Sequence, residues 1–271
     1  TVALSGDGGD EMLGGYNRHI SGPKAWKTIN NIPANLRVPF SKVIGAVPVS
    51  MWDKMRPGRP QFGTHMHKFS NLMSKQSEND IYLSLVSSWQ KPKNLVIRGY
   101  ENQIPLVDPE MQIEGLSFAE RMMYWDTISY MNGDILTKVD RASMSVGLEA
   151  RAPLLDQRIY EYVWRLPIDI KIRQKRGKYL LRRVLENHVP KELFDRPKQG
   201  FSVPIAQWLR TDLRDWAEDL LDEKTLREQG HLDYKLVRKT WERHLKGRGA
   251  DANKLWTVLM FQAWKKQWDA K

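Results

Sequence analysis

Three carboxylates stand close together in a glycine-rich stretch near the beginning of the chain, Ser5-Gly6-Asp7-Gly8-Gly9-Asp10-Glu11. A short apolar strand, Val2 to Leu4, precedes this stretch, and a helix is predicted to follow it. Such a strand–turn–helix unit collects backbone N–H groups at the positive end of a helix dipole, where anions bind. Its glycines allow positive φ and close approach of the backbone to a ligand. The stretch therefore resembles a phosphate-binding loop in its backbone pattern, but its side chains carry the same sign of charge as a phosphate.

The residues of this loop leave two interpretations open. The loop does not match the GxxxxGK[ST] pattern, and Glu11 stands where the dinucleotide pattern GxGxxG needs a glycine. Phosphates beside Asp7 and Asp10 would require a divalent cation between them, and Mg²⁺ held by one or two carboxylates and by phosphate oxygens is the usual arrangement. The alternative is a tight Asp/Gly turn in which Asp7 or Asp10 is only the N-cap of the following helix.

Three later stretches also place charged residues where a ligand would explain them. The stretch from Asp140 to Asp156 mixes Asp, Arg and Glu with small and apolar residues, and half-buried charges must be paired or bind something. Lys178 follows a glycine at a helix start, where the helix dipole disfavours lysine unless a ligand anion is bound. The stretch from Arg196 to Pro204 is a basic loop with a glycine hinge.

The elements that must position these residues are mainly helical, because helical periodicity dominates the chain after the first strand. A helix or a broken pair of helices is predicted from Ser117 to Val146, with a capping box between Ser117 and Glu120 and a break at Gly133. Residues 21–70 are predicted to form short helices or an irregular connection, and residues 168–172 a second strand. Other predicted helices are 156–166 with Asp156 as N-cap, 178–188, 233–246 with Asp233 as N-cap, and 251–268.

The composition limits the classes of protein. The chain has 271 residues, 41% of them hydrophobic, and no cysteine, which excludes disulfides, thiolate metal sites and a cysteine nucleophile. No apolar run approaches the roughly 18–20 residues of a membrane span, and no signal peptide is evident, so a cytoplasmic protein without a membrane partner is predicted. The net charge is 43 − 32 = +11. The basic residues are interleaved with acids, which favours a solvated surface over a nucleic-acid interface.

Taken together and in order, the four stretches resemble the synthetase domain of glutamine-dependent asparagine synthetases. The matching patterns are S-G-[ED]-G-x-D-E, D-R-A-x-M-x-x-G-x-E-A-R-x-P-x-L-D, G-K-x-x-L-R and P-K-x-G-F-x-x-P. Each pattern alone is weak, but their order and spacing are specific. The resemblance covers nearly the whole chain and is weak after about Trp208.

The resemblance implies both a fold and a reaction. The implied fold is a truncated α/β domain of the adenine-nucleotide α-hydrolase (ATP pyrophosphatase) type, in which residues 1–20 are a strand–loop–helix remnant of the nucleotide-binding sheet and residues 21–271 are the helical C-terminal part. Of the nucleotide-binding sheet, one strand is expected to remain. The implied enzyme is an ATP-dependent carbon–nitrogen ligase that adenylates aspartate with ATP and Mg²⁺ and transfers ammonia to give asparagine, AMP and pyrophosphate.

Site residues follow from the same resemblance. Asp7 takes a position that holds Glu in some relatives and is implied to handle the ammonia proton, with a water bridging the shorter reach. Lys178 is implied to stabilise charge on the phosphoryl group, as a point charge can. The remaining implied roles are nucleotide binding by Ser5 and Gly6, Mg²⁺ binding by Asp10, and a substrate pocket formed by Asp140, Arg141, Arg151 and Lys198.

Two features of the family are absent from this sequence. The chain contains no S-G-G-x-D-S loop, which binds pyrophosphate in the family, and no N-terminal cysteine for a glutaminase. We therefore expect a catalytically incomplete piece of a longer protein. Its expected partners are an upstream half of the synthetase domain, a glutaminase domain that delivers ammonia, and a second copy in a homodimer.

Other functions stay open at this point. One is a related amidotransferase acting on another carboxylate, in a β-lactam or polysaccharide cluster; another is a basic helical module that binds nucleic acid. His65 and His67 are predicted to be an exposed loop pair and not a metal site. The other histidines are predicted to lie on helix surfaces or interfaces, and the tryptophans to pack in the core; the residues concerned are His19, His188, His231, His244, Trp208, Trp216, Trp241, Trp256, Trp264 and Trp268.

Overall fold

The computed structural model of the chain describes residues 1–58, 62–100, 113–195, 203–247 and 251–269. The chain divides into two compact units, one formed by residues 1–85 with 103–196 and the other by residues 86–102 with 197–271. The predicted division between residues 1–20 and 21–271 falls inside the first unit. That division stays a prediction.

The first unit contains all the described residues of the four stretches except the end of the last one. Its strands are β1 (Val2–Leu4) and β2 (Glu149–Arg151). An eleven-residue π-helix spans Asp126–Leu136, and a 3₁₀ turn spans Pro153–Leu155. Its α-helices are α1 (Gly9–Met12), α2 (Asn17–Asn30), α3 (Ala34–Ala46), α4 (Val49–Met55), α5 (Phe62–Met73), α6 (Glu78–Val86), α7 (Phe118–Trp125), α8 (Thr137–Met144), α9 (Gln157–Arg165), α10 (Ile168–Lys171), α11 (Tyr179–Leu185) and α12 (Lys191–Phe194).

The two strands pair in parallel, with Val2 opposite Glu149 and Leu4 opposite Arg151. The prediction of a mainly α fold is confirmed, but the prediction of a single strand is wrong. β2 was missed because its three residues, Glu-Ala-Arg, lack an apolar strand pattern and pair with a partner far away in the sequence. The strand predicted at residues 168–172 is also wrong: those residues begin a short helix behind Pro167, whose fixed φ suits a helix start.

The long helix predicted from Ser117 to Val146 forms without the expected break. Ser117 and Glu120 make the predicted capping box, and helical structure then continues through α7, the π-helix and α8. Gly133 lies inside the π-helix, where a Cβ would meet nothing within 4 Å. The break was predicted from the low helix propensity of glycine, a weak preference that does not end the helix here.

The other predicted caps are confirmed. The Asp156 carboxylate accepts from the Arg158 N–H at 2.9 Å, and the Asp233 carboxylate accepts from the Leu236 N–H at 2.8 Å. Residues 21–70, predicted as short helices or an irregular connection, form the greater part of α2 and then α3, α4 and most of α5.

Two apolar cores stabilise the first unit. The smaller core centres on Met12, Leu13 and Val163, with Leu154 and Leu155 packed against it. Since Met12 and Leu13 directly follow the glycine-rich stretch, this core holds the end of that loop. The larger core joins α2, α5, α6 and α7 through Ile29, Met73, Ile81, Tyr82, Phe118, Met122 and Trp125.

The second unit is helical. It contains a 3₁₀ turn (Pro92–Asn94) and α13 (Ile205–Trp208), α14 (Arg214–Leu220), α15 (Glu223–Gln229), α16 (Tyr234–Leu245) and α17 (Ala252–Asp269). Backbone bonds from Ile97 to His231 (2.8 Å) and from Asp233 to Leu95 (2.8 Å) attach residues 95–97 to the helices. No helix in the described part of the chain combines the length and apolarity that crossing a bilayer requires.

Some predictions about aromatic residues and histidines are corrected here. Trp241 is fully buried and the Trp216 and Trp256 rings lie 6.1 Å apart, as predicted for packing residues, whereas Trp264 and Trp268 are more than half exposed. Of the two positions predicted for them, helix surface or interface, His19 and His244 do not take the surface one, because both are buried. Hydropathy alone places histidine at the surface, and only tertiary packing shows that these two lie inside.

Candidate functional site

The glycine-rich loop connects β1 to α1 by a route that only glycine permits. The Ser5 N–H donates to the Arg151 carbonyl at 2.8 Å, which continues the β1–β2 ladder. Gly8 then takes φ 87° and is the N-cap of α1, with no side-chain cap. A Cβ on Gly8 would lie 2.3 Å from Leu155. The alternative in which Asp7 or Asp10 caps the helix is therefore wrong, and both carboxylates are left for another role.

A cavity of about 180 Å³ opens beside this loop. It brings together three of the residues predicted from sequence, Ser5 and Asp7 from the loop and Asp140 from α8. Its complete lining is Ser5, Asp7, Leu136, Val139, Asp140, Ser143, Met144, Glu149, Ala150 and Ala152. The cavity thus lies between the end of β1, the strand β2 and the helix that follows the π-helix.

Two arginines predicted for the substrate pocket lie at its edge. Arg151 Nε donates to Glu149 Oε1 at 2.7 Å, and Arg141 Nε lies 3.6 Å from Asp140 Oδ2. Neither arginine is among the residues that line the cavity, and both side chains are mostly exposed. Their role would be to compensate the carboxylates of the wall. Lys198 lies outside the described residues.

Asp10 and Lys178, two of the predicted site residues, form a second cluster. Lys178 Nζ lies 3.1 Å from Asp10 Oδ2, and both side chains are partly buried. Lys178 adopts a left-handed φ of 56°, and its N–H donates to the Leu13 carbonyl at 2.7 Å. The backbone bond attaches the start of α11 to the end of α1, so the lysine reaches the loop from an element far along the chain.

Two glycines allow this approach. A Cβ on Gly15 would lie 2.0 Å from Asp10 Oδ1 and 2.5 Å from Lys178 Cε. A Cβ on Gly177 would lie 2.0 Å from the Gly14 carbonyl oxygen. Real Cβ atoms do not approach so closely, so any larger residue at either position would push the lysine and the carboxylate apart.

The described residues show no group of three or more His, Cys, Asp or Glu side chains that could hold a metal ion. His65 and His67, predicted to be an exposed loop pair, lie in α5, and His67 is partly buried and contacts the Val47 carbonyl at 2.7 Å. Mg²⁺ bound through substrate phosphates needs only one or two carboxylates from the protein. Asp10, in the first turn of α1, stays the predicted Mg²⁺ ligand.

Seven of the ten residues that line the cavity were not predicted from the sequence, Ser143, Met144 and Glu149 among them. Ser143 and Met144 follow Asp140 by three and four positions, so they share its helix face. That spacing would have identified them in place of Arg141, which is one position away and points elsewhere around the helix. Glu149 could not be found this way, because its position depends on the pairing of β2 with β1.

A buried ionic cluster lies in the same unit, at the start of the π-helix. Asp126 is fully buried and accepts from His19 Nε2 at 2.6 Å and from the Tyr82 hydroxyl at 2.6 Å. Burial by itself would raise the pKa of Asp126, but hydrogen bonds from His19 and Arg18 outweigh it and hold the pKa below its usual value. Burial lowers the pKa of His19, although Asp126 opposes this shift. The neutral histidine therefore donates to an ionised Asp126.

Comparison with known proteins agrees with the four stretches. The family model described as Asparagine synthase matches residues 1–266. Asparagine synthetase (glutamine-hydrolyzing) 1 of Bacillus subtilis (strain 168) is 32% identical over 266 residues, covering 97% of this chain and 40% of the relative. Asparagine synthetase (glutamine-hydrolyzing) 3 of the same bacterium is 31% identical over 195 residues, covering 67% of this chain and 31% of the relative.

The vertebrate relative from Gallus gallus, also an asparagine synthetase (glutamine-hydrolyzing), is 33% identical over 147 residues, covering 48% of this chain and 26% of the relative. The chain thus spans at most about 40% of the length of these relatives. No solved structure matches it significantly.

Proposed function

We propose, from the premise that this chain belongs to the asparagine synthase family, that it forms part of an ATP-dependent ligase that makes asparagine. In the first step an aspartate side-chain oxygen would attack the α-phosphorus of ATP, giving β-aspartyl-AMP and pyrophosphate. Ammonia would then form the C–N bond as the C–O bond to AMP breaks. The observation that carries the proposal is the Asp10–Lys178 pair, held at 3.1 Å beside a glycine-rich loop.

The proposed fold is an α/β domain of the adenine-nucleotide α-hydrolase type. The parallel pairing of β1 with β2 supports it, since parallel strands belong to sheets with helical crossovers. The side chains of Val2 and Leu4 are more than half exposed in the described structure. In a larger parallel sheet, helices packed on its faces would cover them.

Lys178 is the proposed phosphate residue. An ammonium group is a compact point charge that can follow negative charge as it develops on phosphate oxygens. In the described structure this charge faces Asp10, which keeps the lysine directed at the loop. Bound Mg²⁺ would supply neutralisation of the pyrophosphate, and Asp10 is the residue proposed to hold it.

The cavity beside the loop is the proposed place of the reacting carboxylate and amine. Ser5 and Gly6 would contact the nucleotide, and Asp7 would accept a proton from the incoming ammonia. Asp140 would face the substrate from α8, with Arg141 and Arg151 compensating the acidic wall. Lys198 stays a predicted phosphate or substrate contact.

The further parts of the proposal concern partners. Glutamine would provide the ammonia through a glutaminase domain, as the names of the relatives indicate for those proteins. A loop of the S-G-G-x-D-S type, also outside this sequence, would complete the phosphate site. A homodimer and a cytoplasmic location belong to the same proposal, and sedimentation and cell fractionation would test them.

Exchange of labelled pyrophosphate into ATP tests the proposed reaction. The complete gene product that carries this sequence should exchange label only when aspartate and Mg²⁺ are present. Lys178→Met and Asp10→Asn should each lower the exchange rate by about a hundredfold or more, the effect of losing one charge-stabilising contact. Lys175→Met is the matched control, because that lysine is exposed in the same loop.

The outcomes separate the parts of the proposal. Exchange that depends on another carboxylic acid would reject aspartate but keep the ligase. Normal exchange in both Lys178→Met and Asp10→Asn would refute the site. Absence of exchange with every acid tested would overturn the proposed function.

A further inference from the structure

Arg18 lies at the centre of a buried cluster that touches no residue of the cavity directly. Its Nε donates to Asp126 Oδ2 at 2.9 Å, and its NH2 group lies 2.9 Å from Oδ1. The guanidinium also lies 4.0 Å from the Tyr16 ring centroid and 5.1 Å from that of Tyr130. One arginine thus combines an ion pair that reaches both oxygens of Asp126, hydrogen-bonded through Nε, with two cation–π contacts, a combination that favours a single geometry.

Two of these contacts belong to the π-helix. Asp126 is its first residue and Tyr130 lies about one turn later. His19 and Tyr82 also donate to Asp126, each at 2.6 Å. The beginning of the π-helix is therefore anchored to α2 and to α6, and Arg18 reaches further along it than the other two donors.

The π-helix needs such an anchor. Hydrogen bonds from i to i+5 are rare in proteins and occur mostly as single turns, frequently at functional sites. Eleven consecutive π-helical residues are much longer than that. An α-helix completes more turns over the same residues, so conversion to α would rotate every residue that follows.

The residues that follow form one wall of the cavity. Leu136 ends the π-helix, and Asp140 and Ser143 lie on α8 directly after it. Rotation of α8 would remove Asp140 from its position opposite Ser5 and Asp7. The register of the π-helix therefore determines the shape of the cavity.

The other side of the cluster reaches the glycine-rich loop. The Tyr16 hydroxyl donates to Glu11 Oε1 at 2.5 Å, and Glu11 is buried next to Asp10 in α1. Burial, followed by the hydrogen bond to Glu11, raises the pKa of Tyr16 well above its ordinary value, so the hydroxyl stays a donor. Arg18 thus contacts Tyr16, which bonds to α1, and also Asp126 and Tyr130 of the π-helix, which precedes the cavity wall on α8.

We propose that Arg18 is a positioning residue that holds residues 126–136 in the π-helical register and thereby places Asp140 and Ser143 against the glycine-rich loop. The importance of that placement for catalysis rests on the proposed function. The placement itself does not, and it is tested without any activity.

Hydrogen–deuterium exchange on the complete gene product measures the placement. Arg18→Met should raise the exchange rates of amides in residues 132–144 on the order of tenfold, as expected for a residue that couples two elements. Arg18→Lys should give a smaller increase, because lysine keeps the charge but loses the two-point geometry. The matched control is Arg121→Met, which removes another partly buried ion pair in the same unit, to Glu78.

Two hydrogen-exchange results would contradict the role of Arg18. Unchanged exchange at residues 132–144 in Arg18→Met, or an equal increase in Arg121→Met, would overturn the proposal. If Arg18→Met does not fold, Tyr130→Leu replaces it, since it removes one contact to the π-helix and keeps the Asp126 pair. The same local increase is expected there, and its absence would overturn the proposal.

A kinetic measurement then links the placement to the reaction. If the complete gene product exchanges labelled pyrophosphate into ATP, Arg18→Met should raise the KM of that reaction. Arg18→Lys should raise it less. A merely structural role would lower the amount of active protein without changing KM. Lack of pyrophosphate exchange in the unmodified protein would refute the proposed function. The hydrogen–deuterium exchange result would then decide whether Arg18 holds the π-helix.

Discussion

The ammonium group of Lys178 lies 3.1 Å from the carboxylate of Asp10, although 168 residues separate them in sequence (178 − 10). The pair joins α1 to the start of α11. Its two charges compensate each other in the described structure. A phosphate group and Mg²⁺ would separate these partners, the lysine turning to the anion and the aspartate to the cation.

Gly15→Ala should disrupt this pair. The new Cβ would lie 2.0 Å from Asp10 Oδ1, so the carboxylate or the backbone must move. We expect the free energy of unfolding to fall by about 1–3 kcal/mol, the usual range for overpacking. Denaturant unfolding measures the change. Gly58→Ala is the control, since a Cβ there meets nothing within 4 Å, and an equal loss in both variants would contradict the prediction.

Gly6→Ala should separate folding from binding. A Cβ on Gly6 meets no protein atom within 4 Å, and Gly6 is exposed, so the free energy of unfolding should stay unchanged. Under the proposed function a nucleotide occupies the space in front of Gly6, and the added methyl group should weaken ATP binding. Calorimetric titration of the complete gene product with ATP and Mg²⁺ checks this. Wild-type affinity in Gly6→Ala would remove Gly6 from the nucleotide site.

The helix caps and the Asp10–Lys178 pair show what the sequence can and cannot predict. The caps at Ser117, Asp156 and Asp233 depend on neighbours within three positions, and each was predicted correctly. The Asp10–Lys178 pair was foreseen as two residues of one site only through the family resemblance. Its distance depends on the Leu13–Lys178 backbone bond, which no local pattern encodes.

The failures have the same origin. The strand at residues 149–151 depends on its distant partner β1. Burial of His19 likewise follows from its bond to Asp126 and not from its own neighbours in sequence. Local patterns therefore predicted the elements and their caps, whereas the buried ionic cluster and the cavity walls required the tertiary structure.

The stability of the first unit should fall as the pH drops below about 6.5, the ordinary pKa of histidine. Burial lowers the pKa of His19 in the folded state, so the unfolded chain binds the proton more readily there. The stabilisation is complete above the unfolded pKa and is lost as the pH falls towards the folded one. Glu11, Arg18 and Asp126 are the charged groups that act on this ring.

Unfolding at pH 7.5 and pH 5.5 (about one unit on either side of the unfolded pKa) measures this dependence. His19→Gln should reduce the difference between the two values, while His188→Gln, at an exposed position, should leave it unchanged. His244 in the second unit has a pKa shifted in the same direction by burial, so the His19 effect should be measured with probes in the first unit. An unchanged difference in His19→Gln would contradict the assignment.

Lys171→Met should stabilise the protein. Lys171 is fully buried, and among the described residues its Nζ has no hydrogen-bond acceptor; the Trp164 ring centroid lies 4.8 Å away, and Glu120 compensates the charge only through space. Methionine fills a similar volume without a charge, so the free energy of unfolding should rise by about 1–2 kcal/mol at neutral pH. Lys175→Met, at an exposed position of the following loop, should change it little.

The pH dependence of this gain identifies its cause. Burial lowers the pKa of Lys171 in the folded state, so the unfolded chain takes up the proton more readily and the wild-type protein carries the full penalty at neutral pH. As the pH rises towards the ordinary lysine pKa of about 10.4, the penalty disappears and the advantage of Lys171→Met should shrink. Urea unfolding at neutral and alkaline pH measures both values. A destabilised variant, or a gain independent of pH, would mean that Lys171 is satisfied by a partner and is not an uncompensated buried charge.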